Sequence, residues 1–256
     1  MIIFASIVLY LFVFVIGICI GSFLNVLIYR IPRRLNFVTG RSFCPTCQVK
    51  LTACDLVPIF SWLFLGGTCR HCHNPISARY PLGELLCGLF ASLSLVVFGA
   101  TPMALITFAA VCILFVIAMI DWDTMEIPNG LILALLVPAV CAAVFAPEIS
   151  LLVRGIGFFV IALPMFLLNF IIPESFGGGD IKLCAVAGFL LGWQAMLFGT
   201  FVALVLGGGY GVYLLVTRKK GRREHFAFGP FLSIGITVAL YWGTPVVSWY
   251  LSLFLI

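Results

Sequence analysis

The run Gly177-Gly178-Gly179-Asp180-Ile181-Lys182-Leu183-Cys184-Ala185-Val186-Ala187-Gly188-Phe189-Leu190-Leu191 decides the helix count of this chain, and with it the fold. Its apolar part, 181–191, gives roughly 17 Å of helix at ~1.5 Å per residue, short of a ~30 Å hydrocarbon layer. Three glycines and a carboxylate stand at its mouth, so the glycine loop is expected to dip into the membrane. Merged with the apolar run that follows Gly192-Trp193, it would leave seven spans. Counted as its own span, it gives eight.

Composition puts the whole chain in a bilayer. Hydrophobic residues make up 63% of 256 positions and charged residues 9%, too apolar a balance for a soluble domain of this size. No strand-like alternation is visible. The chain therefore reads as an all-α polytopic membrane protein of about eight transmembrane helices, expected over 3–28, 82–99, 103–120, 130–145, 151–172, 181–191, 195–217 and 231–254. The first segment lacks a basic leader and a small-residue cleavage site, and reads as an uncleaved helix.

Charge tests that count. Of the fourteen Lys and Arg residues, seven lie between Arg30 and Arg79, five between Arg218 and Arg223, and Lys182 makes thirteen on one face; only Arg154 falls on the other. By the positive-inside rule that face is cytoplasmic, and both termini lie outside. Seven helices would put the last basic cluster on the wrong side. Topology thus explains the net charge of +5 before any nucleic-acid partner does.

Three parts are expected: a first transmembrane helix over 1–30, a soluble-like cytoplasmic segment over 31–80, and a seven-helix membrane domain over 81–256. The middle part carries Cys44-Pro45-Thr46-Cys47 and, after twenty-one residues, Cys69-Arg70-His71-Cys72. Two C-x-x-C knuckles form a strong zinc pattern, since four thiolates close a tetrahedral shell and make the site structural. A reducing cytoplasm argues against disulfides. A segment this small has little core of its own, so metal binding would supply folding energy. His71, His73 and Cys54 are spare beside four cysteines. Cys19, Cys87, Cys112, Cys141 and Cys184 lie in apolar segments and read as packing residues. The apolar run 56–64 reads as a segment lying on the bilayer or against the helices.

Asp180 needs a partner, because carboxylates at a membrane edge face cavities and pair. The best is Asp121, which begins Asp121-Trp122-Asp123-Thr124-Met125-Glu126-Ile127-Pro128-Asn129 at the same face. Two carboxylates sharing one proton can activate water and polarise a carbonyl, the chemistry of aspartic proteolysis. Gly177 and Gly179 would let a substrate strand approach and would hold Asp180 at an unusual dihedral, and Pro128 would fix the turn after Asp121. Asp180 also fits a plain N-cap, and the two roles are compatible. Asp123 reads as a solvated acid or a neighbour of the pair, and Lys182 as a partner for lipid phosphate or a substrate acid.

Taken together, these residues resemble the bacterial prepilin peptidases, type IV leader peptidases that also N-methylate their product. The resemblance rests on Gly21-Ser22-Phe23-Leu24-Asn25-Val26 with Tyr29-Arg30-Ile31-Pro32, the cysteine tetrad, Asp55-Leu56-Val57-Pro58 with Ser61-Trp62, Arg79-Tyr80-Pro81 with Glu84, Asp121 seven residues before Pro128, and Gly177 to Lys182. It covers nearly the whole chain. It implies an inner-membrane enzyme with Asp121 and Asp180 catalytic, cleaving prepilins or pseudopilins on the cytoplasmic side after a glycine. It also implies methylation of the new N-terminal residue, usually Phe, by S-adenosylmethionine. Asn129 stands where many members carry an acid.

No Rossmann fingerprint is present for the methyl donor, and Gly207-Gly208-Gly209-Tyr210-Gly211 lies within an expected helix, where glycines serve packing. Asn25, Arg30 and Glu84, polar groups at cytoplasmic helix ends, are the candidates for methyl transfer or substrate binding. The rival readings are a peptidase without methyl transfer, a proton-coupled transporter, which needs carboxylates near mid-bilayer, and a non-enzymatic scaffold docking through the cysteine segment. Both type IV pili and type II secretion fit as the destination of the processed pilins.

Overall fold

A computed structural model describes residues 2–173, 175–217 and 226–253; the basic cluster Arg218, Lys219, Lys220, Arg222 and Arg223 lies outside them. Among the described residues there is no strand, only two isolated bridges, Phe43 with Lys50 and Thr68 with Pro75. Packing divides the chain between Thr101 and Pro102.

The first unit contains α1 (Ile2–Arg30), a 3₁₀ turn over Ala53–Leu56, the short α2 (Phe60–Phe64) and α3 (Arg79–Phe98). While the division expected from composition places 81–256 together, α3 groups by packing with α1 and the cysteine segment. Small residues cause this. At Gly17 a Cβ would lie 2.7 Å from the Ala91 Cβ and 2.8 Å from the Gly88 Cα, so only hydrogen allows the two backbones to approach this closely. The remaining face of α1 leaves Phe4, Leu11 and Phe12 exposed, as a lipid-facing helix does.

The second unit comprises α4 (Pro102–Thr124), α5 (Asn129–Phe145), α6 (Leu151–Val160), α7 (Ala162–Ile171), α8 (Gly178–Leu191), α9 (Trp193–Val216) and α10 (Gly229–Ser252). Among the described residues, six stretches are long and apolar enough to cross a membrane: 4–30, 79–98, 102–124, 151–171, 193–216 and 229–252. The other two expected spans are shorter helices, α5 with 17 residues and α8 with 14. The span expected over 151–172 is broken at Ile161, because Pro164 in the first turn of α7 has no N–H to return to the preceding turn.

α6 and α8 meet backbone to backbone at Gly157 and Gly188, where a Cβ on either would run into the other's carbonyl oxygen. Beside this contact lies Arg154, fully buried. Its guanidinium donates to five carbonyls: Ile149 (3.3 Å), Ala142 (2.9 Å), Ala146 (3.2 Å), Phe189 (3.2 Å) and Leu190 (2.7 Å). Four of these carbonyls lie at the C-terminal ends of α5 and α8, where helix dipoles place partial negative charge, and Ile149 belongs to the loop before α6. Its position at the end of α8 opposite Asp180 agrees with the charge count, but the side chain is a clamp inside the fold.

Candidate active site

The cysteine segment folds as two copies of one turn. Cys44 N–H donates to the Val49 carbonyl, and Cys69 N–H to that of Asn74. Gln48 (φ 60°) and His73 (φ 55°), each one residue after the second cysteine of its knuckle, take the left-handed conformation. The four Sγ atoms lie within 4.8 Å of one another. Cys44 and Cys72 are 3.9 Å apart, against about 3.8 Å for the edge of a tetrahedron with ~2.3 Å metal–sulfur bonds. Backbone N–H groups of Cys47 and Thr46 bring the Cys44 thiol down to about 6. The backbone of Cys72, then of His71, lowers that of Cys69 likewise. Against the Asn74 amide, burial and the neighbouring thiols raise the Cys72 thiol to about 11, a repulsion that a bound cation would relieve, and four convergent sulfurs, two of them with amide donors supporting the thiolate form, suit a structural zinc ion. His73 serves the turn, outside the ligand set.

Asp55 ties the segment together. Its Oδ2 accepts from Thr52 N–H (3.0 Å) and Oγ1 (2.6 Å), and its Oδ1 pairs with Arg70 Nε at 2.7 Å. The Thr52 hydroxyl and amide, then Arg70, hold its carboxyl near 2, below the ordinary 3.8.

Asn25, Arg30 and Glu84 line a single cavity of about 400 Å³ formed by α1, α3 and the cysteine segment. Asn25 Nδ2 donates to the Tyr80 carbonyl at 3.1 Å. Arg30 holds the following loop, donating to the carbonyls of Asn36, Gly40 and Arg41. Glu84 Oε2 accepts the Ile59 N–H at 2.7 Å.

In the second unit, Asp121 lies in the last turn of α4 with only 4% of its surface exposed, and Asp180 lies in the first turn of α8. Ile127 packs against Gly179, next to Asp180, and against Gly229, whose amide holds Asp121, so the fold brings the two carboxylates into one neighbourhood, where the charge on Asp121 acts on Asp180. Asp180 is the third residue of α8, after Gly177 as N-cap, and its carboxylate accepts the Gly177 N–H. Its Oδ1 is buried without a hydrogen-bond partner among the described residues, an acceptor left open. None of the three glycines has a positive φ, and Gly177 is extended at φ −63°, ψ 138°. Close approach explains Gly179, where a Cβ would lie 2.8 Å from the Ile127 Cβ. Pro128 caps α5, and Lys182 Nζ donates to Asn129 Oδ1 at 2.9 Å, joining α8 to α5. Asp123 is exposed at the end of α4.

One residue of this site has no counterpart in the sequence reading. Gly229, the first residue of α10, donates its N–H to Asp121 Oδ2 at 2.9 Å. A Cβ there would meet that oxygen at 2.7 Å. The Gly229-Pro230 pair opening a helix was the available signal.

Two carboxylates near the ends of apolar helices, one accepting a backbone amide, form the candidate acid–base site. The chain belongs to the type IV leader peptidase family. That family matches residues 108–212, and the bacterial peptidase A24 N-terminal domain matches residues 15–98. Proteins named prepilin leader peptidase/N-methyltransferase from Burkholderia pseudomallei and Aeromonas hydrophila are each 34% identical, over 91% of this chain and 85% of the first, and 95% and 94% for the second. The Bacillus subtilis protein of that name is 31% identical over 94% of this chain and 97% of its own. No solved structure gives a significant match.

Proposed function

We propose that this protein is an inner-membrane prepilin leader peptidase and N-methyltransferase, with Asp121 and Asp180 as its catalytic pair on the cytoplasmic face. The observation that carries this reading is the meeting of Asp121 and Asp180 at one site, with Asp180 Oδ1 buried and unpartnered. The substrates are prepilins or pseudopilins, cut after a glycine.

In this mechanism the two carboxylates share one proton. The ionised group takes a proton from water as the oxygen attacks the scissile carbonyl carbon, and the protonated group donates a hydrogen bond to the carbonyl oxygen. Collapse of the tetrahedral species breaks the C–N bond, and the nitrogen leaves with a proton from the pair. Gly229 orients Asp121 by its amide, and Gly177 holds Asp180. The bond from Lys182 to Asn129 keeps α8 in register with α5, and Asp123 adds negative charge at the mouth.

Residues 31–80 serve the second activity. Cys44, Cys47, Cys69 and Cys72 hold zinc, whose part is to fold the segment. S-adenosylmethionine supplies the methyl group for the new N-terminal amine, with Asn25, Arg30 and Glu84 at the methyl-transfer end.

The test is an assay of purified protein in detergent with a prepilin and labelled S-adenosylmethionine, reading the mass of the product N-terminus. Shortening plus one methyl group is expected, and shortening alone would remove the methyltransferase claim. Asp121→Asn or Asp180→Asn should abolish cleavage with zinc content and melting intact; cleavage by either variant would sink the peptidase assignment.

A further inference from the structure

We infer that α2 is a membrane foot: the face made by Phe60, Leu63 and Phe64 lies in the boundary between headgroups and acyl chains, in the leaflet at the Arg30 end of α1, and its partner is lipid. This goes beyond both proposed activities and rests only on α1 and α3 crossing the bilayer.

The short helix has two faces with different surroundings. Ser61 and Trp62, with Leu65 just after them, line the cavity between α1, α3 and the cysteine segment. Trp62 is fixed there. Its Nε1 donates to the Ile76 carbonyl at 2.9 Å, and a Cβ on Gly67 would meet its ring at 2.9 Å. Phe60, Leu63 and Phe64, spaced i, i+3 and i+4, share the other face and are 58%, 58% and 87% exposed. Three large apolar side chains left bare on one face mark an interaction site.

Depth selects lipid as the occupant. The Ile59 N–H, at the start of α2, is held by Glu84 Oε2 at 2.7 Å, and the Ser22 hydroxyl holds the same carboxylate. Glu84 lies five residues, ~7.5 Å, into α3, and Ser22 lies eight residues, ~12 Å, before the end of α1 at Arg30. Both helices are long and apolar enough to cross a membrane. The start of α2 is therefore level with their membrane part, inside the level of Arg33 and Arg34, which are exposed after α1 and suit anionic headgroups. Interfacial helices bury their apolar face ~5–10 Å into this boundary. Leu82, Leu85 and Leu86 of α3 are exposed at the same level, so acyl chains already reach it.

The backbone is strained where the chain is brought to this depth. Ile59 takes φ 61°, ψ −53°, a positive φ that a β-branched residue rarely adopts. Its bond to Glu84 holds the turn that delivers α2. The cysteine segment is thereby fixed at one height by Glu84 on its inner side and by lipid on its outer side.

The experiment uses the full-length protein in nanodiscs of phosphatidylethanolamine and phosphatidylglycerol, with a trace of lipid carrying a diazirine near the head of one acyl chain. After photolysis, adducts are located by peptide mass spectrometry. Adducts on Phe60, Leu63 or Phe64 are expected at a yield comparable with those on Leu82 and Leu86. In the triple variant Phe60→Ser, Leu63→Ser, Phe64→Ser, adducts within 56–65 should fall at least about tenfold, with zinc content and leader cleavage unchanged. Labelling of Leu82 and Leu86 with none within 56–65 of the wild type overturns the foot. So does wild-type labelling that an added prepilin abolishes, because the face would then belong to the substrate. Should the triple variant lose its zinc, labelling of the wild-type chain decides. A chain that labels as expected but neither cleaves nor methylates a prepilin keeps the foot and removes the enzymatic reading.

Discussion

Replacing Arg154 with methionine keeps most of the side chain's volume and removes all five donors. The five carbonyls they serve belong to Ala142, Ala146, Ile149, Phe189 and Leu190. Summing about 1.5–3 kcal/mol for each charge-assisted bond would overshoot, because bonds sharing one guanidinium are not independent. Ala142 keeps the Ala146 N–H, and at about 1–3 kcal/mol for each carbonyl that is left dry, partly relieved by relaxation, the loss is ~3–5 kcal/mol. At roughly 2–4 °C per kcal/mol for a unit of this size, the melting midpoint falls by about 6–20 °C. Arg154→Lys, with three donors, should fall between. The assay is thermal unfolding in one detergent followed by intrinsic fluorescence, with leader cleavage measured below the midpoint. Cleavage there should be largely kept, since Asp180 lies at the other end of α8. A methionine variant melting within a degree of wild type would refute the clamp.

Other perturbations test the remaining parts. Asp55 has its carboxyl near 2 when folded against 3.8 ordinarily, so its stabilisation is near full above about pH 5 and is lost as pH falls through 2; Asp55→Asn should cost ~1–2 kcal/mol at pH 7 and only a few tenths of that at pH 2, and a melting gap unchanged across that range would contradict it. Cys44→Ser with Cys47→Ser should bring zinc to background by elemental analysis and loosen residues 31–80 to protease, whereas full zinc content would remove the tetrad. Gly229→Ala places a carbon 2.7 Å from Asp121 Oδ2, so cleavage should drop on the order of 10²-fold with little change in melting; undiminished kcat would show that Gly229 does not orient the aspartate.

The residues that were legible in the sequence are those whose chemistry demands their type. Four cysteines in two knuckles and two aspartates at apolar boundaries have few other uses, and the fold gathers each set. Asn25, Arg30 and Glu84 were readable as polar groups at helix ends, and they converge on one cavity. Burial was not readable. Arg154 counts as an external charge in any tally of loops, because such a tally sees position along the chain and not the carbonyls that the ends of two helices and the Ile149 loop turn towards it. Gly229 was hidden for a related reason: its function is a backbone amide, and no side chain advertises that. The glycines before Asp180 drew attention for conformational freedom they do not use; their value is the close approach of Ile127 to Gly179.

The short helix that decides the count also explains the clamp. α8 has 14 residues, about 21 Å, so a helix whose first turn lies at one membrane face must end within the ~30 Å hydrocarbon layer. Its last carbonyls then face no water, and each left bare would cost several kcal/mol. Gly188 is served by the Gly192 amide, and Phe189 and Leu190 by Arg154. α5, with 17 residues, ends on the same guanidinium through Ala142 and Ala146. A lysine has three donors for this set of five, and no neutral side chain has as many as an arginine. Placing Asp180 at a face on a helix this short therefore requires a guanidinium at its far end, and a relative without this arginine needs a longer α8 or another donor there.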